Sequence, residues 1–190
     1  MAPYESLRDY AQALEKRGKL VRIKEMDQDK YEATAFHYKI IDRWKTNAPA
    51  FLIENIKVND IWHSVPVIGN LFNGFDTVAQ CFGVEHISDS QSEMYTAATE
   101  KIMSYLVNDR WKTIDPVIVE KKDAPCKEVI LTGDAVDIYK FPWIRNNPDD
   151  GGQYISTGCA IMEDPRWKLL TVARMSSRSR WQSALIPFPG

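Results

Sequence analysis

Two strand-length apolar runs lying close together near the end of the chain constrain its fold more than any other feature. Tyr154 to Met162 (YISTGCAIM) and Leu169 to Met175 (LLTVARM) are separated by a short polar connection, Glu163 to Trp167, that Pro165 bends. Runs of this length and spacing predict two adjacent antiparallel strands of a sheet or barrel. The sequence Asp149, Asp150, Gly151, Gly152 leads into the first of them. A glycine pair permits positive φ or close approach of the backbone to a ligand, and Asp-Gly-Gly is equally a good turn. Tyr154, Ser156 and Thr157 add hydroxyls along the strand that follows. In the second run Arg174 sits among Thr171, Val172, Ala173 and Met175. A guanidinium on an apolar strand either closes a half-buried ion pair or meets an anion such as a carboxylate or phosphate, and spacing alone leaves both readings open.

The preceding residues alternate helical and strand patterns. Ser6 as N-cap, Leu7, Tyr10, Ala11 and Leu14 at helical spacing and Gly18 as the stop predict a helix over 6–17. Leu20, Val21 and Ile23 make a strand. A second helix is expected over 31–44, with Ala35, Tyr38, Ile41 and Trp44 on or near one face and His37 beside them. Phe51 to Ile53 and Val65 to Ile68 read as buried strands, with KVNDIWHS between them as a hairpin or loop. Gly69 to Gly74 lacks the lysine and the glycine spacing of a phosphate loop, and so reads as a turn into a helix beginning near Phe75. A longer helix is expected over 92–107, its stripe formed by Met94, Ala98, Ile102 and Tyr105. Strands are predicted over 116–119 and 129–131. The charged EKKDA segment that ends at Pro125 marks a boundary between domains 1–124 and 125–190.

Charge argues against nucleic acid as a partner, because 24 basic and 26 acidic residues are scattered through both halves. No window approaches the roughly 18 consecutive apolar residues of a membrane helix. The three cysteines, Cys81, Cys126 and Cys159, are far apart and lack CxxC spacing, as expected of reduced thiols in a cytoplasmic protein.

Several segments, taken in order, resemble the UbiD family of reversible decarboxylases, which use prenylated flavin mononucleotide. They are SLRDYAQALEKRGKLVRI with a following D-x-x-E-A helix, APAFLIENI, VPVIGNLF, APCKE, FPWI, DDGGQYISTG and TVARM. The resemblance runs almost the full length, and DGGxYIxTG with the arginine strand is its most specific part. It implies an α+β chain: an N-terminal α/β domain over 1–124, then over 125–190 the start of a split β-barrel related to flavin reductases. It further implies that Thr171, Val172 and Ala173 contact prenylated FMN, and that Arg174 is the catalytic arginine orienting the carboxylate of an aromatic or α,β-unsaturated acid. A divalent metal (manganese) and potassium near the cofactor phosphate belong to the same expectation.

At two points the chain departs from the family pattern. Leu169 stands where the family commonly has a metal-binding Asn or Asp. The family's further histidine and glutamate ligands, and two glutamates that complete the catalytic set, would fall after Gly190. The expectation that follows is little or no turnover from these 190 residues alone, and association with a second copy or with a longer homologous subunit. Two other readings stand beside the enzyme: a non-catalytic remnant or assembly subunit, and a generic flavin-binding split-barrel oxidoreductase.

Overall fold

The computed structural model describes residues 4–108, 110–111, 117–164 and 169–178, with the backbone alone described from residue 156 onward. The chain forms two compact units: residues 1–21, 40–52 and 68–137 make one, and residues 22–39, 53–67 and 138–190 the other.

Helix α1 (Leu7–Lys16) begins at Ser6, whose hydroxyl accepts the Asp9 amide at 3.2 Å, and buries Tyr10, Ala11 and Leu14. It ends as its sequence dictates. Gly18 takes φ 68°, its amide donates to the Glu15 carbonyl at 2.9 Å, and the Lys19 amide donates to the Leu14 carbonyl at 2.8 Å. This pair of bonds satisfies carbonyls that the helix leaves open. The chain then enters β1 (Leu20–Asp27). Helix α2 (Glu32–Trp44) follows and leads to β2 (Ala50–Val58), the centre of a four-stranded sheet. β2 pairs with β1, with β3 (Ile61–His63) and with β4 (Val67–Gly69). Ala50, Phe51, Ile53, Ile56 and Val58 are buried along β2. A strand covered on both faces reads as an apolar run with little alternation, which is why AFLI was legible as buried.

In the first unit, Tyr10, Ala11, Leu14, Leu20 and Ala50 form one core cluster. The Tyr10 ring stacks on Phe72 at 5.6 Å, and its hydroxyl donates to the Thr77 carbonyl at 2.8 Å. Burial pushes the Tyr10 hydroxyl and the Cys81 thiol above their ordinary pKa values. Both groups are therefore held toward the neutral form, which lowers the thiolate character of the partly buried Cys81. Helices α3 (Phe75–Cys81) and α4 (Gln91–Met103) pack through Ala79, Met94 and Ala98, so the expected Met94–Ala98 stripe is core.

Three expectations need correction. The helix expected to reach Val107 stops at Met103, and Leu106–Val107 (β5) pairs antiparallel with Arg110–Trp111 (β6). The Ser104 hydroxyl bonds back to the Lys101 carbonyl at 2.6 Å and Asn108 takes φ 48°, so local polar bonds and a left-handed residue end the helical run. No strand forms over Val117–Val119 or Val129–Leu131; Ile118 is 98% exposed and Val117 84%. Pro116 lies outside the described residues. β-branched residues favour strands, but a strand forms only where a neighbour takes its amides and carbonyls. On α2 the buried positions are Ala33 and Ile40, whereas Tyr38 is 60% exposed, as the face is set by the residues seven apart.

Asp76 is the charged centre of the first unit. It is 2% exposed and meets Arg17 at 3.1 Å and Lys19 at 3.3 Å, with the Gln91 amide at 3.4 Å. Burial works against its charge, but Lys19, Gln91 and Arg17 outweigh it and hold the carboxyl below its usual range. A depressed folded-state pKa stabilises above the unfolded value, and that stabilisation is lost as pH falls through the folded value. Acid titration of stability should therefore lose a component in Asp76→Asn, a change expected to cost about 3 kcal/mol in urea denaturation. Gly69 has a steric role: a Cβ there would lie 2.4 Å from the Phe51 ring. Gly69→Ala should lower stability by about 2 kcal/mol in the same assay.

Candidate functional site

The residues singled out near the end of the chain lie on one hairpin. β7 (Tyr154–Asp164) and β8 (Leu169–Arg178) pair antiparallel, as the two apolar runs predict. Arg174 stands opposite Cys159, Ala173 opposite Ala160, Val172 opposite Ile161 and Thr171 opposite Met162. The side chains of Thr171, Val172, Ala173 and Arg174 lie outside what is described, so the structure fixes their strand and register only. Between Ile155↔Ser177 and Gly158↔Met175, β7 advances three residues while β8 moves two. The extra residue is a β-bulge at Ser156–Thr157, a device that re-aims the strand beyond it.

The start of β7 is held by local polar bonds. The Asp150 amide donates to the Asn147 carbonyl at 3.1 Å, and Asp150 Oδ2 accepts the Asn147 amide at 2.9 Å. The Tyr154 amide donates to the Ile144 carbonyl at 3.0 Å, and Trp143 Nε1 donates to the Ile138 carbonyl at 2.6 Å. The FPWI corner is thus closed by its own indole.

Gly151 and Gly152 line a cleft of about 400 Å³ in the second unit, together with Gln28, Tyr31, Asn59 and Arg145. The glycine pair follows the turn that Asn147 and Asp150 close and forms part of the cleft wall. The far wall depends on the polar segment between β1 and α2. Asp29 accepts the Asn59 and Asp60 amides, each at 2.8 Å, at the β2–β3 turn where both residues take positive φ (54° and 60°). Asp27 is buried and faces Lys30 at 3.1 Å and Lys57 at 3.9 Å. Its burial opposes ionisation, yet these two lysines and the Asp29 amide hold its carboxyl below the ordinary range. The Asp27 amide in turn donates to Glu32 Oε2 at 2.7 Å. Tyr31 adopts φ 60° between a short 3₁₀ turn (Gln28–Lys30) and α2.

Sequence reasoning missed Gln28, Tyr31 and Arg145. The D-x-x-E-A pattern marks where α2 starts, but nothing in it signals a left-handed tyrosine or a buried glutamine amide. Among the described residues no group of three or more His, Cys, Asp or Glu could hold a metal ion, and a leucine side chain at position 169 on β8 carries no oxygen for one. Cys81 and Cys126 are free thiols.

Residues 11–93 match the model of the 3-octaprenyl-4-hydroxybenzoate carboxy-lyase N-terminal domain, and residues 117–186 match that of the Rift-related domain of the same enzyme. The chain belongs to the UbiD family. It is 27% identical over 166 residues to a phenolic acid decarboxylase of Sedimentibacter hydroxybenzoicus, covering 86% of this chain and 32% of that protein. Vanillic acid decarboxylase from the same organism, in its closed form, superposes with a TM-score of 0.73 at 23% identity, over 94% of this chain and 36% of that one. An evolved dimeric form of the UbiD-class enzyme HmfF from Pelotomaculum thermopropionicum, in complex with prFMN, gives a TM-score of 0.66 at 24% identity, over 91% and 35%. These superpositions establish the shared α+β fold. The chain spans about a third of the length of these relatives.

The Asp29 clamp is directly testable. Asp29→Ala should cost about 1–2 kcal/mol in urea denaturation and speed hydrogen exchange at the Asn59 and Asp60 amides of the turn, with exchange in β2 itself little changed.

Proposed function

We infer that this chain is part of a prenylated-FMN-dependent carboxy-lyase acting on a small aromatic or α,β-unsaturated carboxylic acid. The observation that carries the reading is the match of both family domains in order, the second of which includes the whole β7–β8 hairpin and Arg174. A relative named as a phenolic acid decarboxylase and a UbiD-class structure in complex with prFMN support the reaction class and the cofactor.

The family match over β8 supports placing such a cofactor along that strand. Thr171, Val172, Ala173 and Arg174 are the residues we assign to holding it. When bound, a prenylated flavin supplies an electron sink for the bond to the departing carboxylate. The chain contributes position and charge: the Arg174 guanidinium orients the substrate carboxylate as a planar fork and keeps it desolvated against the cofactor. No step is assigned to the divalent metal or potassium of the family expectation, as the described residues include no cluster of three or more His, Cys, Asp or Glu.

The reading includes a second, split-barrel domain from about residue 125, a cytoplasmic setting, and completion of the site by further polypeptide, by a second copy or by a longer homologous subunit. No helix among the described residues is long and apolar enough to cross a membrane.

Co-expression with a prenylated-flavin synthase, and with a longer homologue where one is present, tests the proposal. A bound-flavin absorbance spectrum and carbon dioxide release from cinnamate-type or hydroxybenzoate-type acids are expected. Arg174→Ala should lower turnover by roughly 10²–10³-fold, the loss typical of a preorganised charge-stabilising donor. A colourless, inactive protein that co-purifies with a longer homologue would overturn the catalytic assignment in favour of an assembly subunit.

A further inference from the structure

Residues 117–119 and 129–131, both in the first unit, have the composition of buried strands and none of the burial. Ile118 is 98% exposed, Val117 84%, Val129 73% and Ile130 59%. Among the described residues neither run joins a sheet, and none of their amides finds an acceptor. Single apolar side chains on a surface are ordinary, but a β-branched run with free backbone is a strand without its neighbour.

The extent of this surface suits a partner protein. With Val119 and Leu131, these side chains leave on the order of 700 Å² open, against a few hundred for the largest patch of an ordinary monomer and about 800 Å² per partner in a standard-size interface. Residues 120–128 join the runs through two 3₁₀ turns (Lys121–Asp123 and Pro125–Lys127), which keeps the runs within about 25 Å of each other.

Charge selects the partner. Antiparallel pairing of one run with the other, Ile118 opposite Ile130, would set Glu120 opposite Glu128, and like charges directly opposite destabilise a strand pair. Pairing of 129–131 with the same residues of a second copy sets Ile130 opposite Ile130 and Val129 opposite Leu131. Glu128 then faces Thr132 and Lys127 faces Gly133, so no like charges oppose.

We propose that this face is the contact between two copies of the chain, related by a two-fold axis at Ile130. Residues 129–131 pair antiparallel with their counterparts, and residues 117–119 supply the remaining apolar area. Such a contact is isologous, so each copy presents the same surface to the other. The proposal rests on exposure and charge order and not on the carboxy-lyase reading.

Sedimentation equilibrium of the 190-residue chain should show a dimer that dissociates in the micromolar range. A residue on a two-fold axis meets itself. Ile130→Lys and Ile130→Glu should therefore each weaken self-association by at least about 100-fold, whereas an equimolar mixture of the two variants should re-form a dimer. Ile118→Ser should weaken association about tenfold. All three changes fall at exposed positions, so far-UV circular dichroism of the monomers should stay unchanged. A wild-type chain that is monomeric at about 100 μM would overturn the proposal and leave a longer homologous chain as the occupant. Lysine and glutamate variants that remain dimeric, a mixture that stays monomeric, or undiminished association in Ile118→Ser would overturn it equally. Because no cofactor or turnover enters the assay, its failure is distinct from failure of the carboxy-lyase reading.

Discussion

The carboxylate of Asp29 is the interaction on which the second unit depends. By accepting two successive amides of the Asn59–Asp60 turn it fixes the β2–β3 hairpin against the segment that starts α2. That segment packs its own charges around the same point. Asp27 is held ionised by Lys30 and Lys57, and Lys57 reaches on to Asp60 at 2.9 Å. With the turn fixed, Gln28 is buried at one place and its amide takes the Arg145 carbonyl. Residues 117 apart in sequence thereby become neighbours, and the cleft follows from a turn clamp rather than from a glycine motif alone.

How far the fold was legible follows from where the information is local. Ser6, the Tyr10–Leu14 spacing and Gly18 encode α1 almost completely, since cap, face and stop all act within one helix. The β7–β8 hairpin was legible for the same reason: two apolar runs and a proline-bearing connection determine each other. Val117–Val119 and Val129–Leu131 failed because strand formation is a property of two segments, and their composition says nothing about a partner. The buried face of α2 was misread because tyrosine and tryptophan suit either side of a helix, while Ala33 and Ile40 give a weak pattern between them.

The site divides similarly. Arg174 was found as a charge on an apolar strand, and family membership gives that oddity a context without describing its side chain. Gln28 and Arg145 were invisible, since the bond between them is a fact about three-dimensional pairing. Tyr31 illustrates the same limit: a left-handed φ at a non-glycine residue is imposed by its surroundings, and such strain collects at ligand sites.

The bulge at Ser156–Thr157 works as a phase shift in the hairpin. Side chains along a strand keep strict two-residue time, so a one-residue slip near its start would ordinarily alter which side every later residue faces. One unpaired residue resets that count. The pairs from Gly158↔Met175 to Asp164↔Leu169 keep their own rhythm, and the position of Arg174 is governed by them. A one-residue insertion or deletion ahead of the bulge can thereby be absorbed there, without turning the arginine strand over.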